Sequence, residues 1–190
     1  MKEVIERLQI QINSVGQQME QERTTFEVST TDDINSLAPS SPGIYWIETT
    51  MPMKKLASAI SAVTGKQRKT RKTKPDGAGL IEQNGDAFYV AYSGTEDNIR
   101  KRLRQHLFNE GSASTVKLGC VISQSPFSDF KWRVGFLEIE SYEIRYALEA
   151  WWRLKIGWPA FCRRYCLTLR SKGRCAIKPR SAPELRRLKL

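Results

Sequence analysis

The sequence predicts an α+β fold: a small, mainly antiparallel sheet flanked by helices, preceded by an N-terminal helix and interrupted by an inserted basic loop. Three observations carry this. GIYWIETT, DAFYVAYSG, TVKLGCVIS and WRVGFLEIE are short apolar runs rich in β-branched and aromatic residues. Other stretches repeat apolar residues three and four apart, the helical period. The order is strand, helix and loop, strand, helix, two strands joined by a short turn, and a last helix. At 190 residues and 40% hydrophobic, the chain can bury one real core and carry appendages.

The elements follow in order. Residues 1–40 read as an N-terminal helix and linker. Ile5, Leu8, Ile12, Val15 and Met19 form an a/d seam over a helix at 3–22. That seam suits packing on its own domain or, though shorter than three heptads, a homodimer contact. Residues 23–42 are polar, end in APSSPG, and are expected to be linker and turn. GIYWIETT (43–50) is the first strand, and MKKLASAISAVTG (53–65) is a short helix with Leu56, Ile60 and Val63 at helical spacing. The insertion 51–85 then carries Lys66, Arg68, Lys69, Arg71, Lys72 and Lys74 in KQRKTRKTKPDGAG. So dense a run of like charge has nothing to bury; it reads as a solvated loop or as an arm that follows phosphates.

DAFYVAYSG (86–94) is the next strand, and a helix over 96–109 should start from Thr95 as N-cap with Glu96 and Asp97 in its first turn. TVKLGCVIS and WRVGFLEIE should form a hairpin around QSPFSDFK. YEIRYALEAWWRLKI (142–156) is a helix ended by Gly157 and Pro159, with Ile144, Ala147, Trp151 and Leu154 as its expected core face. Residues 166–190 form a basic tail after a domain spanning 41–165.

Net charge is +11 with 31 Lys and Arg against 20 Asp and Glu. Such an excess favours polyanions, nucleic acid first and an anionic membrane surface second. No apolar run approaches the roughly 18 residues of a membrane span, and the charged N-terminus has no signal-peptide core; a cytoplasmic protein without a membrane partner is expected. Cys120, Cys162, Cys166 and Cys175 lack the paired C-x2-C spacing of zinc sites and read as reduced thiols.

The helix after YSG is not uniformly basic. Ile99, Leu103 and Leu107 make a buried stripe, and Arg100, Lys101 and Arg104 point away from it into solvent. Arg102 and His106, the single histidine, share a face at the stripe's edge. Snorkelling and a hydrogen-bonded boundary histidine explain that placement as well as a phosphate site does. On the last helix Glu149 has Arg145 and Arg153 four residues to either side, the pattern of a surface ion pair or of a carboxylate held for a cation.

Together these residues resemble the GIY-YIG nuclease superfamily. GIY stands at Gly43-Ile44-Tyr45, the second half of the signature at Tyr92-Ser93-Gly94, the helix arginine and histidine at Arg102 and His106, and the later glutamate and proline at Glu149 and Pro159. Ser93 takes the place of the middle Ile, and Cys162 that of a frequent Asn. The resemblance implies a GIY-YIG-type fold and a divalent-metal-dependent DNA endonuclease of restriction or mobile-element type. In that scheme Tyr45 is the base or proton relay that activates water, with Tyr92 and His106 beside it. Arg102 holds the scissile phosphate, and Glu149 binds one Mg²⁺ or Mn²⁺. Because a phenol's ordinary pKa near 10 is too high for a base, Arg102, the metal and a hydrogen bond from His106 or Tyr92 would lower it. Double-stranded DNA would be contacted by the insertion's six basic residues and by Arg100, Lys101 and Arg104. Trp151 belongs to the core by position, and Trp152 is a weaker candidate for base stacking. A non-catalytic nucleic-acid-binding module that keeps the fold is the alternative class.

Overall fold

Gly43–Thr49 is a strand buried at every position, and the fold is built around it. The computed structural model describes residues 2–64, 79–83, 85, 87–111 and 122–162. In chain order the elements are α1 (Lys2–Glu22), β1 (Thr24–Glu27), α2 (Thr31–Leu37), β2 (Gly43–Thr49), α3 (Met53–Thr64), β3 (Tyr89–Glu96), α4 (Ile99–Leu107), β4 (Trp132–Glu138) and α5 (Tyr142–Ile156). The four strands form one antiparallel sheet in the order β1-β4-β2-β3. This is the expected α+β class with a small antiparallel sheet.

Alternation along β2 divides the molecule into two layers. Tyr45 and Ile47 face a core shared with Val134 and Phe136 of β4, Leu56 and Ile60 of α3, and Ile99, Leu103 and Leu107 of α4. Ile44 and Trp46 face the opposite way, onto Leu148 and Trp152 of α5 and Met19 of α1. Trp46 fits because β4 carries Gly135 opposite it; a Cβ there would clash with the indole ring. Among the described residues β3 lies at the edge of the sheet, and both α4 and α5 pack against it. Its ladder with β2 slips by one residue between Ile47 and Glu48, leaving Ala91 opposite no partner and setting Tyr45 against Gly94.

Several expectations are corrected. Residues 23–42 are not merely linker. They hold β1, which pairs with β4, and α2, whose Thr30 and Asp33 form a reciprocal capping box. Polar composition hid both, because a two-sided cap and an edge strand need few apolar residues. α4 starts later than expected: β3 runs on through Thr95 and Glu96, and Asn98 rather than Thr95 caps the helix by accepting from Lys101 N at 2.8 Å. The hairpin between TVKLGCVIS and WRVGFLEIE is not formed on β4, which is flanked by β1 and β2. Of the first segment, residues 115–121 lie outside the described residues, and Ile122 and Ser123 are in a turn. The insertion 51–85 opens with the expected helix, α3, and returns at Leu80, which bridges to Trp158.

The core face of α5 is also different. Leu148 and Trp152 are buried together with Arg145, Glu149 and Arg153, whereas Ile144 and Leu154 are exposed and Trp151 is half-buried. The apolar stripe was the stronger periodic signal, but the opposite side of the helix contacts the sheet. Trp152 stacks near Trp46, ring centres 5.3 Å apart, and so belongs to the core rather than to a base-stacking surface.

Gly135→Ala should destabilise the fold by about 1–3 kcal/mol, since neither a strand backbone nor a fully buried indole can yield cheaply. A urea denaturation series against the native chain measures it, and a change under about 0.5 kcal/mol would show that the sheet relaxes there.

Candidate active site

The site lies around the edge strand β3. Tyr45 of β2 and Tyr92 of β3 point to the α4 side, with ring centres 6.3 Å apart. The Tyr45 ring lies across Gly94, where a Cβ would stand only 2.7 Å from the phenol oxygen. Glycine at this position is therefore what lets the hydroxyl reach past its own sheet neighbour. His106 comes down from α4, buried, and its Nε2 is 2.9 Å from the Tyr45 hydroxyl. Its ring also lies 4.8 Å from that of Tyr92. The structure thus brings together the two tyrosines and the histidine expected from the sequence.

Arg102 stands one turn before His106 at the solvent rim, its side chain 29% exposed. It is ion-paired with Glu96 and donates to Gln105 Oε1 at 3.1 Å. The guanidinium is therefore oriented by its own chain before any anion arrives.

Glu149 approaches from α5. It is not the surface residue that helical geometry allowed: it is buried and ion-paired with buried Arg153. Arg145 turns elsewhere, donating to the Glu96 carbonyl at 2.6 Å and to Asp97 Oδ1 at 2.7 Å. Arg153 reaches past Glu149 to β3, with Nε on Ser93 Oγ and Nη2 on the Ser93 carbonyl, both at 2.8 Å. Cys162 closes the same point. Its Sγ accepts from Ser93 N at 3.4 Å and donates to Ser93 O at 3.3 Å, while Trp158 Nε1 holds the Cys162 carbonyl at 2.7 Å. Ser93 and Cys162 touch each other. A small hydroxyl on β3 makes room for Arg153 and a thiol, and the three lock α5 to the edge strand. Sequence reading missed this lock. The signal for it was the i, i+4 pair Glu149–Arg153 next to Leu148 and Trp152, an alternative stripe to the one chosen.

The electrostatics follow from burial. The Tyr45 phenol is pushed well above the ordinary tyrosine range, chiefly by loss of water; Tyr92 adds to this, and Arg102 opposes it without prevailing. The expectation that Arg102 would lower Tyr45 is met in sign and outweighed in size. Burial likewise raises Tyr92. Burial raises Glu149 too, with Arg153 pulling the other way, and it raises the Cys162 thiol. Tyr45 is thus a neutral phenol held against an imidazole.

For a metal, no three His, Cys, Asp or Glu side chains cluster among the described residues. Glu149 is a single hard oxygen donor. Its Oε1 is already paired with Arg153, so an ion such as Mg²⁺, which keeps most of its waters and takes few protein ligands, would have Oε2 to bind.

The outer face of α4 is partly corrected. Arg100 donates to the Ala38 carbonyl at 2.7 Å, and Arg104 bonds both Glu110 oxygens and Asn35. These acceptors come from α2, its C-cap and the residues after α4. Lys101 alone of the three is exposed. The loop residues Lys66, Arg68, Lys69, Arg71, Lys72 and Lys74, the thiols Cys120, Cys166 and Cys175, and the tail 166–190 lie outside the described residues.

Removing one member of a buried ion pair strands the other. Arg153→Met should cost about 3–5 kcal/mol in urea denaturation, and Glu149→Gln with Arg153→Met should recover much of it. A loss under about 1 kcal/mol would mean that water reaches the pair.

No family model, no curated protein and no solved structure matches this chain.

Proposed function

We propose that this protein is a divalent-metal-dependent DNA endonuclease, restriction-like in being site-specific, whose active groups are Tyr45, Tyr92, Arg102, His106 and Glu149. The observation that carries the reading is the 2.9 Å contact between the Tyr45 hydroxyl and His106 Nε2, set behind a rim arginine and beside a buried carboxylate. A hydrophobic core has no need of that combination.

Phosphodiester hydrolysis requires a proton acceptor for water and cationic groups for the phosphate. The raised pKa of Tyr45 makes a free phenolate a poor starting point, so Tyr45 acts as a relay. Its proton moves to His106 Nε2 as the phenol oxygen takes one from the attacking water. Arg102 binds the phosphate by exchanging Glu96 for a phosphate oxygen, a charge-assisted contact of the same geometry. Tyr92 packs against both rings of the relay and shields the His106 ring from bulk water. Glu149 would hold Mg²⁺, which when bound supplies positive charge to the leaving oxygen. The net charge of +11 draws the chain to a polyanion, and Lys101 offers an exposed cation beside the site.

The alternative, a nucleic-acid-binding module without turnover, draws on the pairing of Arg102 with Glu96, which leaves a phosphate to compete for the guanidinium.

Supercoiled plasmid incubated with Mg²⁺ should give discrete fragments. EDTA or Glu149→Ala should abolish them, and Tyr45→Phe or His106→Ala should slow cutting by about 10²–10⁴-fold. Retardation of DNA without cutting in Mg²⁺ or Mn²⁺ would favour the module. Below the pKa of a phenol, each pH unit raises its ionised fraction about tenfold. A full relay does not need that fraction, so the cleavage rate should rise by less than tenfold per pH unit between about pH 7 and 9. A full tenfold slope would make the phenolate itself the base.

A further inference from the structure

Twelve large apolar side chains are exposed among the described residues, and ten of them lie on two contacting helices, α1 and α5. α1 meets the body only near its C-terminal end. Gly16 lies under the Trp151 ring, Asn13 accepts from Trp151 Nε1 at 2.7 Å, and Met19 enters the core. Residues 2–15 are exposed throughout, an arm of about 20 Å. A lone helix of that length is marginal in water.

The arm is not polar. Ile5, Leu8, Ile12 and Val15 continue the seam that Met19 begins in the core, and they stay 36% to 56% exposed. On α5, Ile144 and Leu154 flank Trp151 on the same outer stripe, each 49% exposed. The seam and the stripe therefore adjoin where Trp151 lies on Gly16.

We propose that this surface is the interface with a second copy of the same chain, the α1 arms pairing along their seams and the α5 stripes extending the contact. Three features select a second copy. The three-four spacing meshes best with a helix of the same repeat. The positions flanking the seam include Gln9, Gln11 and Gln18, so identical copies meet without like charge, which a chain of +11 must otherwise overcome. The area is also sufficient: six side chains about half exposed give roughly 500 Å² per copy and about 1,000 Å² in all, the lower bound of a specific interface. An interface at that lower bound is that of a weak, reversible dimer. The reaction assigned above plays no part in the argument.

The test is the mass of the full chain by sedimentation equilibrium from about 1 to 100 µM. The expected result is a rise from 21.8 kDa towards twice that value. Leu8→Glu with Ile12→Glu should hold the mass at the monomer value, weakening association by about 100-fold or more, and Ile144→Glu should weaken it by about 10-fold. All three side chains are exposed, so at about 1 µM, where the native chain is also largely monomeric, circular dichroism and the thermal midpoint should match those of the native chain. A native chain that stays monomeric at the highest concentration overturns the proposal, whether the seam is bare or covered by another part of the chain. A dimer indifferent to the α1 pair overturns it as well, and one indifferent to Ile144→Glu removes α5 from the interface.

Discussion

The structure depends on the grip of α5 on an edge strand. Among the described residues β3 has a hydrogen-bonded neighbour on one side only, and such an edge would ordinarily be the least defined part of the sheet. Here Arg153 holds the Ser93 hydroxyl and carbonyl, Cys162 holds the Ser93 amide, and Arg145 holds the Glu96 carbonyl. Two buried guanidiniums so close to backbone carbonyls are costly unless they are paired, and Glu149 and Asp97 pair them. The strand that carries Tyr92, Gly94 and Glu96 is thereby fixed to the helix that carries Glu149.

This constraint explains why groups from opposite faces of the sheet meet. Tyr45 and His106 belong to the α3 and α4 layer, and Glu149 belongs to the α5 layer. A central strand would separate the two. At an edge they approach around one strand, and the Tyr45 and Tyr92 phenols feel the Glu149 charge. Burial keeps both phenols neutral, and the proposed hydrolysis therefore uses a hydrogen-bonded relay in place of a phenolate.

Much of this was legible in the sequence, for reasons that differ by residue. β2 and the apolar stripe of α4 were plain because apolar residues at strand or helical period admit one orientation. Arg102 and His106 stood out by their shared face on α4, and Tyr45 only through the resemblance of Gly43-Ile44-Tyr45 to the GIY-YIG words. α2 was missed because its capping box, Thr30 with Asp33, was buried in polar composition. The inner face of α5 was misread because its charged residues point inward, against the usual rule, and the apolar stripe that obeyed the rule is the one left outside. The Ser93–Cys162–Arg153 lock was invisible because it joins residues up to 69 positions apart through a thiol and a guanidinium that show no periodicity.

The central claim is that Tyr45 donates its proton towards His106. His106 is the only histidine in the chain, so its ring nitrogens can be observed without assignment ambiguity. Long-range proton–nitrogen correlation NMR at neutral pH reads the tautomer directly. The account predicts a proton on Nδ1 and an unprotonated Nε2 that accepts from Tyr45, with the Nε2 resonance shifting in Tyr45→Phe. A proton resident on Nε2, unaffected by that substitution, would mean that the imidazole donates to the phenol and that the relay runs the wrong way.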